Sequence, residues 1–112
     1  MRNTFLLVAL LLLLTGCAST SLYNWGHYED DLFDYYYQPE HKAKVIEDLV
    51  EHLQKQETNG TKPAPGLYAE AGTFYLLEGD TETAIRFYEQ EARHWPESEP
   101  MMSTLIHNLE AN

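Results

Sequence analysis

The apolar positions of the chain fall into one unbroken run followed by a series of stripes. Residues 5–14 are uniformly apolar and end at Thr15-Gly16-Cys17. Beyond them, Trp25, Tyr28, Leu32 and Tyr36 recur every three or four residues, with Glu29, Asp30, Asp31 and Asp34 between them. That period predicts a helix over 22–37, although Gly26 weakens its first turn. The aromatics of 33–37 would also suit a strand, and the preceding period decides for helix. Pro39 fits the first turn of a second helix, where a missing N–H costs nothing. Over 39–56 it would carry Ile46, Leu49, Val50 and Leu53 on one stripe. Glu40/Lys44 and Glu51/Lys55 stand four apart in the favourable order for helix ion pairs. Residues 57–66, ETNGTKPAPG, break either regular structure and read as a linker.

The next segment is the most regular. Tyr68, Gly72 and Tyr75 lie on one helical face, Gly79 suits the helix end and Asp80 the next N-cap. Ala84, Ile85, Phe87 and Tyr88 form the apolar face of that second helix, and Pro96 stops it. Ser98-Glu99-Pro100 then starts a last helix with Met102, Leu105, Ile106 and Leu109 on its stripe. The expected fold is all-α, with about five helices and no strand.

The greasy start is too short to span a bilayer core, which needs about 20 residues. Arg2 before it and small residues after it give it the form of a secretory leader. Leu14-Thr15-Gly16-Cys17 resembles a bacterial lipobox. That resemblance implies cleavage before Cys17, a diacylglycerol thioether on its sulfur and acylation of the new amino terminus. A lone cysteine is more commonly a buried apolar group; its place directly after the leader favours lipidation. The expected organisation is a leader over 1–16, a lipidated tether over 17–21 and a helical domain over 22–112, with 57–66 as a linker inside it. Several acyl chains hold stably, each buried CH₂ contributing about 0.8 kcal/mol. Ala18 follows the cysteine; in enterobacterial lipoproteins an aspartate there resembles an inner-membrane retention signal, so Ala18 implies the periplasmic face of the outer membrane. Ala18–Ser21 reach about 13 Å at most. With one cysteine in the chain, no intramolecular disulfide can form.

Charge narrows the partners. Loss of Arg2 from 7 basic residues leaves 6 against 18 acidic ones, a formal charge of −12. Nucleic acid and anionic lipid should be repelled by such a surface, so the lipid on Cys17, rather than charge, would make the membrane attachment.

Over about 34 residues, Tyr68, Gly72, Tyr75, Gly79, Ala84, Tyr88 and Pro96 resemble one tetratricopeptide repeat. The resemblance implies that Gly72 and Ala84 let two helices approach while rings fill the groove between them. Glu91 departs from it, standing where a small residue is preferred. A single repeat cannot bury its faces, so the flanking helices should complete the array. In groove-binding members, Lys or Asn clamp residues hold a peptide carboxylate. Here the corresponding inner-face positions read Ala69, Thr73 and Leu76, which would recognise a partner through apolar contact.

Chemistry is sparse. His27, His41, His52, His94 and His107 are scattered, and no zinc-ligand spacing appears. Asp30, Asp31 and Asp34 lack the glycine and late glutamate of a calcium loop. No nucleophile triad, P-loop or dinucleotide fingerprint is present, so neither an enzyme nor a cofactor is expected. The aromatics are more telling. Tyr35-Tyr36-Tyr37 cannot all face one core, since helical neighbours point about 100° apart. Those left outside would suit a partner surface. The stretch LYNWGHYEDDLFDYYY, directly behind a lipobox and ahead of a repeat-like helix pair, resembles a family of small proteobacterial outer-membrane lipoproteins. Their genes often neighbour a lipoprotein resembling the curli-secretion pore CsgG. The resemblance implies an accessory envelope role: an adaptor or assembly factor whose partner is an envelope protein, a CsgG-like lipoprotein being one candidate. The alternative is a regulator of peptidoglycan synthesis or remodelling.

Overall fold

A computed structural model describes residues 22–112, together with residues 1, 3 and 4; Cys17 and the leader run lie outside the described residues. Five α-helices follow one another over 22–112: α1 (Tyr28–Tyr37), α2 (Lys42–Thr58), α3 (Leu67–Leu77), α4 (Thr81–His94) and α5 (Glu99–Glu110). Short 3₁₀ turns at Pro39–His41 and Pro96–Ser98 lead into α2 and α5. No strand occurs among the described residues. The protein is all-α.

The stop signals act as their chemistry dictates. Gly79 takes φ 89°, and the amides of Gly79 and Asp80 turn back onto the carbonyls of Leu76 and Tyr75 at 3.0 and 2.9 Å. That pairing satisfies carbonyls the helix leaves open. Asp80 then accepts from the Thr83 amide at 3.0 Å and caps α4. Gly60, with φ 68°, closes α2 in the same way through Thr61 and the Gln56 carbonyl.

Two core clusters meet along α3. One gathers Tyr35, Val45, Leu49, Leu53, Ala64, Leu67, Tyr68, Ala71 and Phe74 from α1, α2, α3 and the α2–α3 loop. The other joins Ala84 and Tyr88 of α4 to Met102 of α5, with Leu105, Ile106 and Leu109 packed against it. The close approach read at Gly72 is present. A Cβ there would lie 2.8 Å from the Tyr88 ring and 3.0 Å from the Ala84 carbonyl oxygen, so only glycine fits without parting the helices.

Several expectations are corrected. The first helix starts at Tyr28 rather than 22, because Gly26 turns with φ 61° against the His52 ring. Its inner stripe ends on Tyr35, not Tyr36. Val45 belongs to the buried stripe of α2. Lys44 pairs with Asp48 instead of Glu40, since Glu40 lies in the 3₁₀ turn, outside the α-helical register; Lys55 does pair with Glu51, at 2.8 Å. The 57–66 linker is packed structure: Ala64 and Pro63 are fully buried, and the Trp95 indole N–H donates to the Pro63 carbonyl at 3.1 Å.

Candidate functional site

The three consecutive tyrosines separate as helical geometry requires. Tyr35 is 1 % exposed, Tyr36 52 % and Tyr37 73 %. Tyr35 stacks on Phe74 of α3 at 4.1 Å, and its hydroxyl donates to Glu78 at 2.7 Å. The Lys42 ammonium sits 4.9 Å from the ring centre and 3.9 Å from the same Glu78 carboxylate. Burial, followed by the bond to Glu78, pushes the Tyr35 hydroxyl well above the ordinary phenol range. Tyr35 is therefore a core anchor and is withdrawn from the partner-contact residues.

What remains outside is a compact aromatic face. Phe33, Tyr36 and Tyr37 stand at positions i, i+3 and i+4, the spacing that puts side chains on one helix face. Phe33, 56 % exposed, stacks on Tyr37 at 4.9 Å. Tyr36 touches Phe74 edge-on, with ring centres 6.5 Å apart, so this outer face is braced from beneath by the ring that holds Tyr35. Asp30 and Asp34 precede Phe33 and Tyr37 by three residues and place carboxylates along the same stripe. Asp34 lies 3.3 Å from the His41 ring. The face is thus aromatic with an acidic border. The stripe that predicts α1 does not include Phe33; taking 33, 36 and 37 as the outer complement of 28, 32 and 35 would have found it.

The positions compared with a peptide clamp lie elsewhere. Ala69 and Leu76 pack against the Ala84–Tyr88–Met102 cluster, and the Thr73 and Tyr88 hydroxyls share a hydrogen bond at 2.9 Å. Half-buried beneath α4 and α5, these three residues serve packing between helices in this structure rather than lining an open groove.

Glu91, the departure from the repeat pattern, is 1 % exposed. Neither of its carboxylate oxygens reaches a hydrogen-bond partner among the described residues. Burial pushes its carboxyl above the ordinary range; the backbone amides of Gly66 and Ala69 at the start of α3 pull the other way, as do His94 and Lys62. The N-cap of α3 is Gly66, which has no side chain to offer. Glu91 therefore places its carboxyl from α4 at the positive end of α3, where the helix dipole offsets part of the cost of its burial.

A strap formed by residues 22–27 completes the picture. The Asn24 carbonyl lies 3.0 Å from His52 Nε2 and accepts from the Gln56 amide at 3.2 Å. Tyr23 meets Trp95 edge-on at 5.5 Å. Among the described residues no three His, Cys, Asp or Glu gather as a metal site, and no helix is long and apolar enough to cross a membrane.

The family model described as a domain of unknown function (DUF4810) matches residues 22–105, a span that takes in the strap, the aromatic face and both core clusters. Comparison with curated proteins and with solved structures gives no match.

Proposed function

The chain belongs to the DUF4810 family, and from that premise we propose that it is a lipid-anchored adaptor or assembly factor on the periplasmic face of the outer membrane. Its acyl chains would sit on Cys17, and the Phe33–Tyr36–Tyr37 face of α1 would engage an envelope protein. A CsgG-like lipoprotein is the first partner to try. The observation that carries this reading is the exposed, braced aromatic face, at 52–73 % exposure across three adjacent rings. Exposed Tyr and Phe on a rigid element supply interface area at low conformational cost. The acidic border suits a partner segment with basic residues beside apolar ones. A helical hairpin packed through Gly72 and Ala84 supports the tetratricopeptide-like reading of the scaffold.

The test is capture with the anchor intact. Protein solubilised gently from membranes should retain one specific envelope protein, and the triple variant F33A/Y36A/Y37A should lose it. Recovery of only bulk lipoproteins, or undiminished recovery by the triple variant, would defeat the proposal.

A further inference from the structure

The cations of the domain are unevenly employed. Of the six Lys and Arg residues over 22–112, Lys42, Lys44, Lys55 and Arg86 pair with carboxylates. Lys62 and Arg93 do not, among the described residues; Arg93 donates to the neutral Gln90 side chain at 3.3 Å. Both lie at one end of the molecule, where the α2–α3 loop meets the end of α4, and both border a hollow of about 490 Å³ with Glu57, Gly60, Thr61 and His94. The carboxylate among them, Glu57, is engaged by the Tyr68 hydroxyl.

That same end holds the only two tryptophans in the chain. Lys62 sits over the Trp95 ring with its nitrogen 3.5 Å from the centre. Trp95 meets Tyr23, and Tyr23 meets Trp25 at 6.4 Å. Leu22, the first residue of the strap, is 84 % exposed. Tryptophan and tyrosine beside a lysine and an arginine that have no carboxylate partner form the composition favoured at the water–bilayer boundary, where rings lie among headgroups and cations meet phosphates.

The strap fixes this end to the tether. Asn24 is bonded to His52 and Gln56 of α2, so the path from the membrane reaches the body beside the tryptophans. The four residues from Ala18 to Ser21 allow about 13 Å at full extension. A lipid on Cys17 would therefore keep this end within reach of headgroups. We propose that, once the lipid on Cys17 holds the chain at the bilayer against the repulsion of its net charge, the Trp25–Trp95–Lys62–Arg93 end docks on phospholipid headgroups and sets the orientation of the domain on the membrane. Helix α1 leaves the strap at Tyr28 and carries Tyr37 about 14 Å farther along its axis, at 1.5 Å per residue, so the aromatic face is held away from the docked edge. The proposal rests on the Cys17 anchor.

The chain purified from bacterial membranes is first weighed by mass spectrometry. An acylated Cys17 goes directly into phosphatidylethanolamine–phosphatidylglycerol vesicles; an unmodified thiol refutes natural anchoring and is coupled to a maleimide lipid, so that docking is tested either way. Because Trp25 and Trp95 are the only tryptophans, their emission reports on this end alone. Vesicles carrying headgroup-spin-labelled lipid should quench it about two-fold, as expected for interfacial rings. The variant K62E/R93E should lose most of that quenching. Emission unchanged by the labelled headgroups in anchored protein would overturn the docking, and quenching that survives K62E/R93E would overturn the role of the cations.

Discussion

The α3–α4 contact and the α1–α3 contact solve the same packing problem with different side chains. In α3–α4 the contact is made by absence: Gly72 leaves room for the Tyr88 ring and the Ala84 carbonyl, and the two backbones come close. In α1 it is made by a large ring, Tyr35, stacked on Phe74 and tied to Glu78. The first arrangement uses its apolar face internally, down to half-buried Ala69, Thr73 and Leu76. The second commits one tyrosine of three to the core and leaves Phe33, Tyr36 and Tyr37 outside. A hairpin closed by small residues is a scaffold; a helix pinned by one ring can present the others.

Breaking the pin should have the largest effect. Tyr35→Ala removes a fully buried ring and its bond to Glu78, and should cost about 3–5 kcal/mol in urea unfolding; a loss below about 1 kcal/mol would show that α1 is not held through this contact. Gly72→Ala should cost about 1–3 kcal/mol through overpacking, despite the better helix propensity of alanine, because the Ala84 carbonyl is backbone and cannot swing aside. A neutral or stabilising result would mean that the hairpin is looser than the 2.8 Å approach implies.

Glu91 gives a pH-dependent test on the scaffold side. Its folded pKa is raised from an ordinary value of 4.5, so the folded protein holds the proton through a range in which the unfolded chain has released it. Stability from this group is fully present below the unfolded pKa and declines as pH rises through the folded one. Glu91→Gln should therefore raise stability at pH 7, by about 1–2 kcal/mol, and flatten the decline expected in the parent protein as pH rises through the folded pKa. If the variant is instead destabilised at pH 7, attraction to the amides of α3 outweighs burial. The smallest stability effect belongs to the triple variant F33A/Y36A/Y37A, whose unfolding free energy should stay within about 0.5 kcal/mol of the parent while partner capture disappears. Those two readouts together separate a presenting face from a packing one.

Helix order was legible in the sequence because its signals are local. Gly79 and Asp80 punctuate by backbone conformation and capping, and both act as read. The approach at Gly72 was legible through the resemblance to a tetratricopeptide repeat, in which small residues on two adjacent helices let them come close. The α1 face was only half legible. Tyr35 and Tyr36 sit one residue apart at the end of a stripe whose members 28 and 32 accept either as the next position, and local period cannot choose between them. Phe74, more than thirty residues away, made the choice. The 57–66 segment has the composition of a loose connection, yet Pro63, Ala64 and Trp95 make it part of the core.

The amino-acid sequence by itself determined an all-α chain and the start and stop of most of its helices. Those follow from hydrogen-bond caps, allowed backbone angles and the 3.6-residue period, all of which act within a few residues. Tertiary structure alone decided which tyrosine is buried, that Glu91 can occupy a helix junction, and that both tryptophans gather beside the strap with two cations that have no carboxylate partner. Each of these depends on which distant surface is already present to receive the side chain, and that information is distributed over the fold rather than carried by any one segment.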